Sequence, residues 1–190
     1  MLKSKLLFAS QQLWLHRAYL RIYLKDPSKR INSVTQLNSE QLELMGIRAV
    51  IFDFDGVLAT HGAIKISPMV TYWLRDFIKN YTGQIFLLSN NLFKKRIDYL
   101  STNWPELKIV TPKKKKPDPD GILEISRITG LLPQKILMID DRLGTGLLAA
   151  RLAGINGLLV NPALVNYTTQ PGVEMFFASL RVLERLICLI

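Results

Sequence analysis

Five short apolar runs, each followed by a helix-patterned stretch, constrain this chain more than any other feature. They are RAVIF (48–52), QIFLLS (84–89), KIVT (108–111), KILMID (135–140) and GLLV (157–160). Helical patterns occupy 68–80, 91–101, 118–129, 144–153 and 173–188. Runs that are apolar on both faces belong inside a parallel sheet, with helices covering each side. Punctuation agrees: Pro68 stands near a helix start, Gly130 and Gly154 near helix ends, and Pro162 after a strand. The expected architecture is α/β: a three-layer, Rossmann-like fold around a parallel five-stranded sheet. Neither an internal repeat nor a linker divides the chain. Residues 41–190 are expected to form that domain, with residues 1–40 a basic amphipathic segment before it.

Ligands of such a sheet bind at the carboxyl ends of its strands, and polar residues collect there. Asp53 and Asp55 follow the first run in VIFDFDGVLAT, Ser89 and Asn90 end the second, and Asp140 and Asp141 end the fourth. The proline-bounded loop PKKKKPDPD lies between the third and fourth. If the fourth strand returns beside the first, carboxylates, a hydroxyl and a lysine converge on one cleft.

Carboxylates that close repel one another, and a hard cation such as Mg²⁺, which takes oxygen ligands, relieves the repulsion. One ionised carboxylate can attack phosphorus to give an aspartyl-phosphate. A second, two residues on, can protonate the leaving alcohol and later deprotonate water. Lysine and serine can hold phosphoryl oxygens as charge redistributes. A calcium-loop reading of DFDG fails, since Val57 and Ile64 stand where ligands belong. Taken alone, the aspartate pair could also be a simple turn or cap; the ordered polar groups after it argue for chemistry.

From about residue 47 to 162 these motifs resemble the haloacid dehalogenase-like (HAD) phosphohydrolases. DFDGV resembles the first motif, which implies Asp53 as nucleophile and Asp55 as general acid/base. LLSNN resembles the second, with Ser89, and Asn90 beside it, binding substrate phosphate. Lys116 in KKPDP resembles the lysine that steadies nucleophile and phosphoryl group. MIDDRLGTG resembles the fourth motif, with Asp141 the foremost metal ligand and Asp140 its neighbour. The resemblance implies Mg²⁺ held by Asp53, the backbone carbonyl of Asp55 and the acids at 140 and 141.

A closer resemblance, through GIRAVIFDFDGVLA, Asn90–Asn91, ARLAGINGLLVNP and RVLERLI, is to the subfamily IIIA branch of phosphatidylglycerophosphatase-like enzymes. It implies dephosphorylation of a glycerophospholipid phosphate such as phosphatidylglycerophosphate. Two positions depart from that branch: Gly56 replaces a usual asparagine, and Gly146 a second aspartate of the fourth motif. The missing acid is expected to weaken the metal shell, and Gly146→Asp to lower the Mg²⁺ requirement. Only residues 56–83 and 92–107 separate the early strands, room for one helix each, so the fold is expected to be capless. An open cleft admits a membrane-borne headgroup or a phosphorylated macromolecule. The alternatives are a protein or nucleotide monophosphatase, or a degenerate fold serving as a non-catalytic membrane-associated binding module.

Composition narrows the partners. A formal charge of +10 favours anionic ones. Residues 1–30 hold seven Lys/Arg against one Asp, among Leu, Trp and Tyr, a pattern suited to an anionic membrane surface or to a helix packed on the domain. Deleting residues 1–25 is expected to reduce liposome binding and spare hydrolysis of a soluble aryl phosphate. An organelle presequence is a third reading of this segment, whereas LLFA is too short for a secretory core. No run approaches the roughly 18 apolar residues of a membrane span, and nucleic acid is not expected, for want of a recognisable binding pattern. The single cysteine, Cys188, excludes an internal disulfide framework. The location expected is cytoplasmic and peripheral at the inner membrane face, or the mitochondrial matrix in a eukaryote. Lys113–Lys115 favour an anionic surface; Lys94, Lys95 and Arg96 face either the cleft or solvent; His16 and His61 look incidental. The C-terminal VEMFFASLRVLERLICLI reads first as a helix docked on the sheet and second as another membrane-contacting surface.

Overall fold

The computed structural model describes residues 2–190, with side chains from Leu7 onward. The chain opens on helix α1 (Leu2–Leu20), one-turn α2 (Ile22–Lys25), strand β1 (Arg30–Ile31) and α3 (Ser39–Leu44). Strand–helix pairs follow: β2 (Ala49–Phe52) with α4 (Pro68–Asn80), then β3 (Gln84–Leu87) with α5 (Lys94–Asn103). The next are β4 (Lys108–Ile109) with α6 (Asp120–Thr129), and β5 (Ile136–Asp140) with α7 (Leu148–Ala153). Strand β6 (Asn156–Val160) and the long α8 (Pro171–Leu189) complete the order.

The strands form one parallel sheet in the order β1–β6–β5–β2–β3–β4. It has six strands where five were expected. The extra one is β1, whose Arg30 and Ile31 pair with Leu159 and Val160. Two residues carry no periodicity from which a strand can be read.

Side chains alternate along β2, which makes the layers visible. Val50 and Phe52 enter one core with Leu74 and Phe77 of α4, while Ala49 and Ile51 enter the other with Ile122 and Ile125 of α6. The chain runs from β2 outward to β3 and β4, then returns to the far side of β2 for β5 and β6. This reversal opens the crevice beyond the carboxyl ends of β2 and β5. No cap is inserted: the connection from β2 holds only a loop and α4.

The first forty residues are tied to this body. Leu13, Leu20 and Tyr23 are buried with Leu143, Leu147, Leu148, Leu159 and Cys188, and Arg21 Nε donates to the Cys188 carbonyl at 2.7 Å. Deleting residues 1–25 would strip this cluster of its outer half, so the loss would reach the fold as well as any surface role. Leu20→Ala, at a fully buried position, should cost about 2–5 kcal/mol. A urea midpoint unchanged from wild type would show that α1 contributes no packing.

Candidate active site

The loop after β2 points its carboxylates outward because its apolar residue points inward. Phe54 is fully buried, and its carbonyl accepts from Leu58 and Ala59 N–H at 2.9 and 3.0 Å. Asp53 and Asp55, flanking it, therefore face the crevice. Asp140 and Asp141 arrive from the end of β5, which pairs with β2 in register. Oxygens of Asp53, Asp140 and Asp141 lie within 4.8 Å of one another, and all three residues are buried.

Lys116 meets this cluster from the loop after β4. Its ammonium donates to Asp140 Oδ2 at 2.6 Å and sits 3.1 Å from Asp53 Oδ1. The second contact is an ion pair outside hydrogen-bond geometry, so Asp53 Oδ1 is buried with no hydrogen-bond donor. Asn90 holds the lysine loop: its side-chain amide donates to the Lys116 carbonyl and accepts from the Lys116 N–H, both at 2.8 Å. Ser89 lines the cleft, and its hydroxyl accepts from Asn91 N–H at 3.3 Å.

Asp55 stands apart from the three clustered acids. Arg96, fully buried on α5, grips both of its oxygens at 2.9 Å, and Gly62 N–H donates to one of them. The same guanidinium donates to the Ala63 and Asn91 carbonyls. Of the three basic residues opening α5, Arg96 alone turns inward; Lys94 and Lys95 are exposed. A planar fork can hold a carboxylate in one orientation, which a lysine cannot do.

The other wall of the cleft comes from α8, and sequence reasoning missed it. Arg181 donates to Asp141 Oδ2 at 2.8 Å. Arg142 Nε donates to Glu184 at 3.0 Å. His61 contacts Glu174 through Nδ1 at 2.8 Å and stacks on Phe177 at 4.0 Å between ring centroids. Burial pulls the His61 pKa down despite Glu174, so Nδ1 carries the hydrogen and donates it to the carboxylate. The only local signal was three ionisable residues at 174, 181 and 184, spaced to share one helix face. The cleft holds about 470 Å³ between Lys115 and Lys116 on one side and His61, Val173 and Phe177 on the other.

Residues 21–164 match the family described as mitochondrial PGP phosphatase. The chain belongs to that family. It is a HAD-like phosphatase. No curated protein sequence is significantly similar to it. Among solved structures, an uncharacterized protein from Listeria monocytogenes serotype 4b superposes with a TM-score of 0.51 at 16% identity, covering 63% of this chain and 83% of that one. A haloacid dehalogenase-like hydrolase from Streptococcus pneumoniae matches with a TM-score of 0.47 at 14% identity, over 65% and 89% of the two chains. A HAD-family enzyme from Bacteroides thetaiotaomicron, in complex with magnesium and inorganic phosphate, matches with 0.44 at 15%, over 60% and 93%. These likenesses concern the fold.

The two departures of this phosphatase from its branch lie against the acid pair. Gly56 has a φ of +83°, and a Cβ there would sit 2.6 Å from the Asp141 carboxylate. A Cβ on Gly146, in the single π-helical turn Leu143–Leu147, would overlap the Asp140 carboxyl group. Gly146→Asp therefore cannot simply add an acid to the shell, as the sequence suggested, because its first carbon already displaces Asp140. The variant should lose turnover by at least about tenfold and raise the Mg²⁺ requirement. A lowered requirement, measured by magnesium titration of aryl phosphate hydrolysis, would restore the original expectation.

Three buried carboxylates with hard oxygen donors, one oxygen lacking any hydrogen-bond donor, fit a divalent cation such as Mg²⁺. Without one, burial and mutual repulsion strengthen the hold of Asp53 and Asp141 on their protons. Burial, then the charges of Asp140 and Asp55, push Asp53 up to about 7 against the pull of Lys116. Burial and the charges of Asp140 and Asp53 likewise raise Asp141 well above the ordinary carboxylate range, opposed by Arg181 and Arg142. A carboxyl whose folded pKa is raised keeps a proton that the unfolded chain has released. Metal-free stability should therefore fall as pH rises from the ordinary 3.8 toward about 7. Asp53→Asn mimics the protonated form, so without metal it should melt above wild type at pH values past 7 and converge with it as pH falls toward 3.8. Parallel melting curves across that window would refute the assignment.

Proposed function

We propose that this phosphatase hydrolyses the terminal phosphomonoester of a glycerophospholipid, such as phosphatidylglycerophosphate, through an aspartyl-phosphate on Asp53. The observation that carries the reading is the Asp53 carboxylate: buried at the floor of an open cleft, 3.1 Å from the Lys116 ammonium and clustered with Asp140 and Asp141. In the first step an Asp53 oxygen forms the bond to phosphorus as the bond to the lipid alcohol oxygen breaks. Asp55 gives that oxygen its proton. In the second step water attacks phosphorus and Asp55 takes its proton as the bond from phosphorus to the Asp53 oxygen breaks, which releases inorganic phosphate, frees the Asp53 carboxylate and restores the proton on Asp55. Arg96 keeps Asp55 aimed along this path. Lys116 and Ser89 steady the phosphoryl oxygens, and Asn90 fixes the lysine loop. Mg²⁺ bound by Asp53, the Asp55 carbonyl and the acids at 140 and 141 would supply positive charge to offset that of the phosphate.

The lipid substrate draws support from the family and from the uncapped cleft, which leaves room for a headgroup that stays attached to its bilayer. The site of action in this reading is an anionic membrane surface, at the inner face of the cytoplasmic membrane or on the matrix side in a mitochondrion. Asp53→Asn should abolish hydrolysis of phosphatidylglycerophosphate and of an aryl phosphate with Mg²⁺ present. Asp55→Asn should slow the second step and let phosphate accumulate on Asp53, visible by intact-protein mass. Wild-type turnover in the Asp53 variant would overturn the mechanism; turnover of phosphoproteins or nucleotides in preference to the lipid would overturn the substrate.

A further inference from the structure

Helix α8 is built inside out. Its buried row is Glu174, Arg181, Glu184 and Cys188, with half-buried Phe177 between the first two, so three ionisable side chains face the domain. Its outer row is apolar: Met175 is 62% exposed, Phe176 59%, Leu183 54% and Leu186 56%. Ser179 is the one exposed polar side chain between them, and no exposed position of the helix carries a charge. A helix resting on a soluble domain normally does the reverse, and large apolar side chains gathered on one face mark an interaction surface.

That surface continues onto α1. Leu7 and Trp14 share a shallow groove with Ile187, and Leu15 is 61% exposed. The Arg17 guanidinium lies over the Trp14 ring at 4.0 Å from its centroid, a pairing of aromatic body and cation suited to a headgroup layer. Three features choose the occupant. A second copy of a chain charged +10 would be repelled. Exposed Lys115 lines the same cleft as Val173 and Phe177 of α8, with exposed Lys113 and Lys114 next to it in the chain, so the cleft that this helix walls also carries cations. Val173 and Phe177 of α8 line the cleft itself, so whatever covers the helix also borders the phosphate site. Among the described residues no helix is long and apolar enough to cross a membrane.

The geometry points to the outer face of α8, extended by α1, as the surface through which the protein lies on an anionic bilayer, with its cleft held at the lipid headgroups. This deepens the lipid-phosphatase reading and rests on it for its purpose; the docking is measured without turnover.

The test uses the full chain and phosphatidylcholine vesicles with and without phosphatidylglycerol. Leu183→Gln combined with Leu186→Gln should weaken sedimentation with the mixed vesicles by at least about tenfold, since both remove apolar surface that docking would bury. Hydrolysis of a soluble aryl phosphate should stay at the wild-type rate. A nitroxide on Leu183→Cys, selective because Cys188 is buried, should become oxygen-accessible and shielded from a water-soluble relaxant when vesicles are added. Undiminished binding of the double variant, or a label that stays in water on bound protein, would overturn the inference. So would a wild-type oligomer that the double variant dissolves while vesicle binding persists, which would assign the face to contacts between copies. Docking without hydrolysis of phosphatidylglycerophosphate would instead sink the lipid-phosphatase reading and leave the surface standing.

Discussion

Three like-charged carboxylates buried at the ends of neighbouring strands are the constraint around which this structure is organised. Asp53, Asp140 and Asp141 cannot share one low-dielectric site without cations, and the chain brings those from far apart. Lys116 reaches in from the loop after β4, and Arg181 from α8. Arg142 adds charge beside them and is itself held by Glu184. The site is therefore a balance of fixed charges, in which the phosphate and its metal would replace part of the repulsion with attraction. The neighbouring pair Asp55–Arg96 lies off this cluster with its own counter-ion, so two carboxylates two residues apart sit in different environments. Different environments are what allow nucleophile and proton carrier to have different tasks.

The same balance explains why α8 is so unlike a surface helix. Its inner row answers the charges of the site and of the loops beside it: Arg181 on Asp141, Glu184 on Arg142, Glu174 on His61. Committing the ionisable residues inward leaves the outer row apolar. One helix thus both completes the cleft and carries the exposed hydrophobic face, and any force that seats the outer face also bears on the residues that hold the acid cluster.

Much of this was legible in the residues. Apolar runs at 48–52, 84–89, 135–140 and 157–160 mark strands because burial on both faces leaves a continuous signature. The site acids were legible because strand ends at a chain reversal converge in any such sheet. The role of Arg96 was left between cleft and solvent, since three consecutive cations carry no information on which one turns inward; that depends on Phe54 and Phe93 forming the slot around its guanidinium. Gly146 read as a missing acid, whereas the turn around it leaves no volume beside Asp140.

The sequence by itself determined the parallel α/β sheet, the absence of an inserted cap and the aspartates, serine and lysine that meet at its carboxyl edge. Those depend on local periodicity and on strand-end topology, both of which are written along the chain. Only the tertiary structure decided that β1 joins the sheet, that Asn90 clasps Lys116, that Arg96 grips Asp55 and that α8 turns its charges inward. Each of these rests on contacts between residues 26 to 129 positions apart. At such separations the partner is chosen by packing geometry and charge compensation in three dimensions, which no pattern within a single segment encodes.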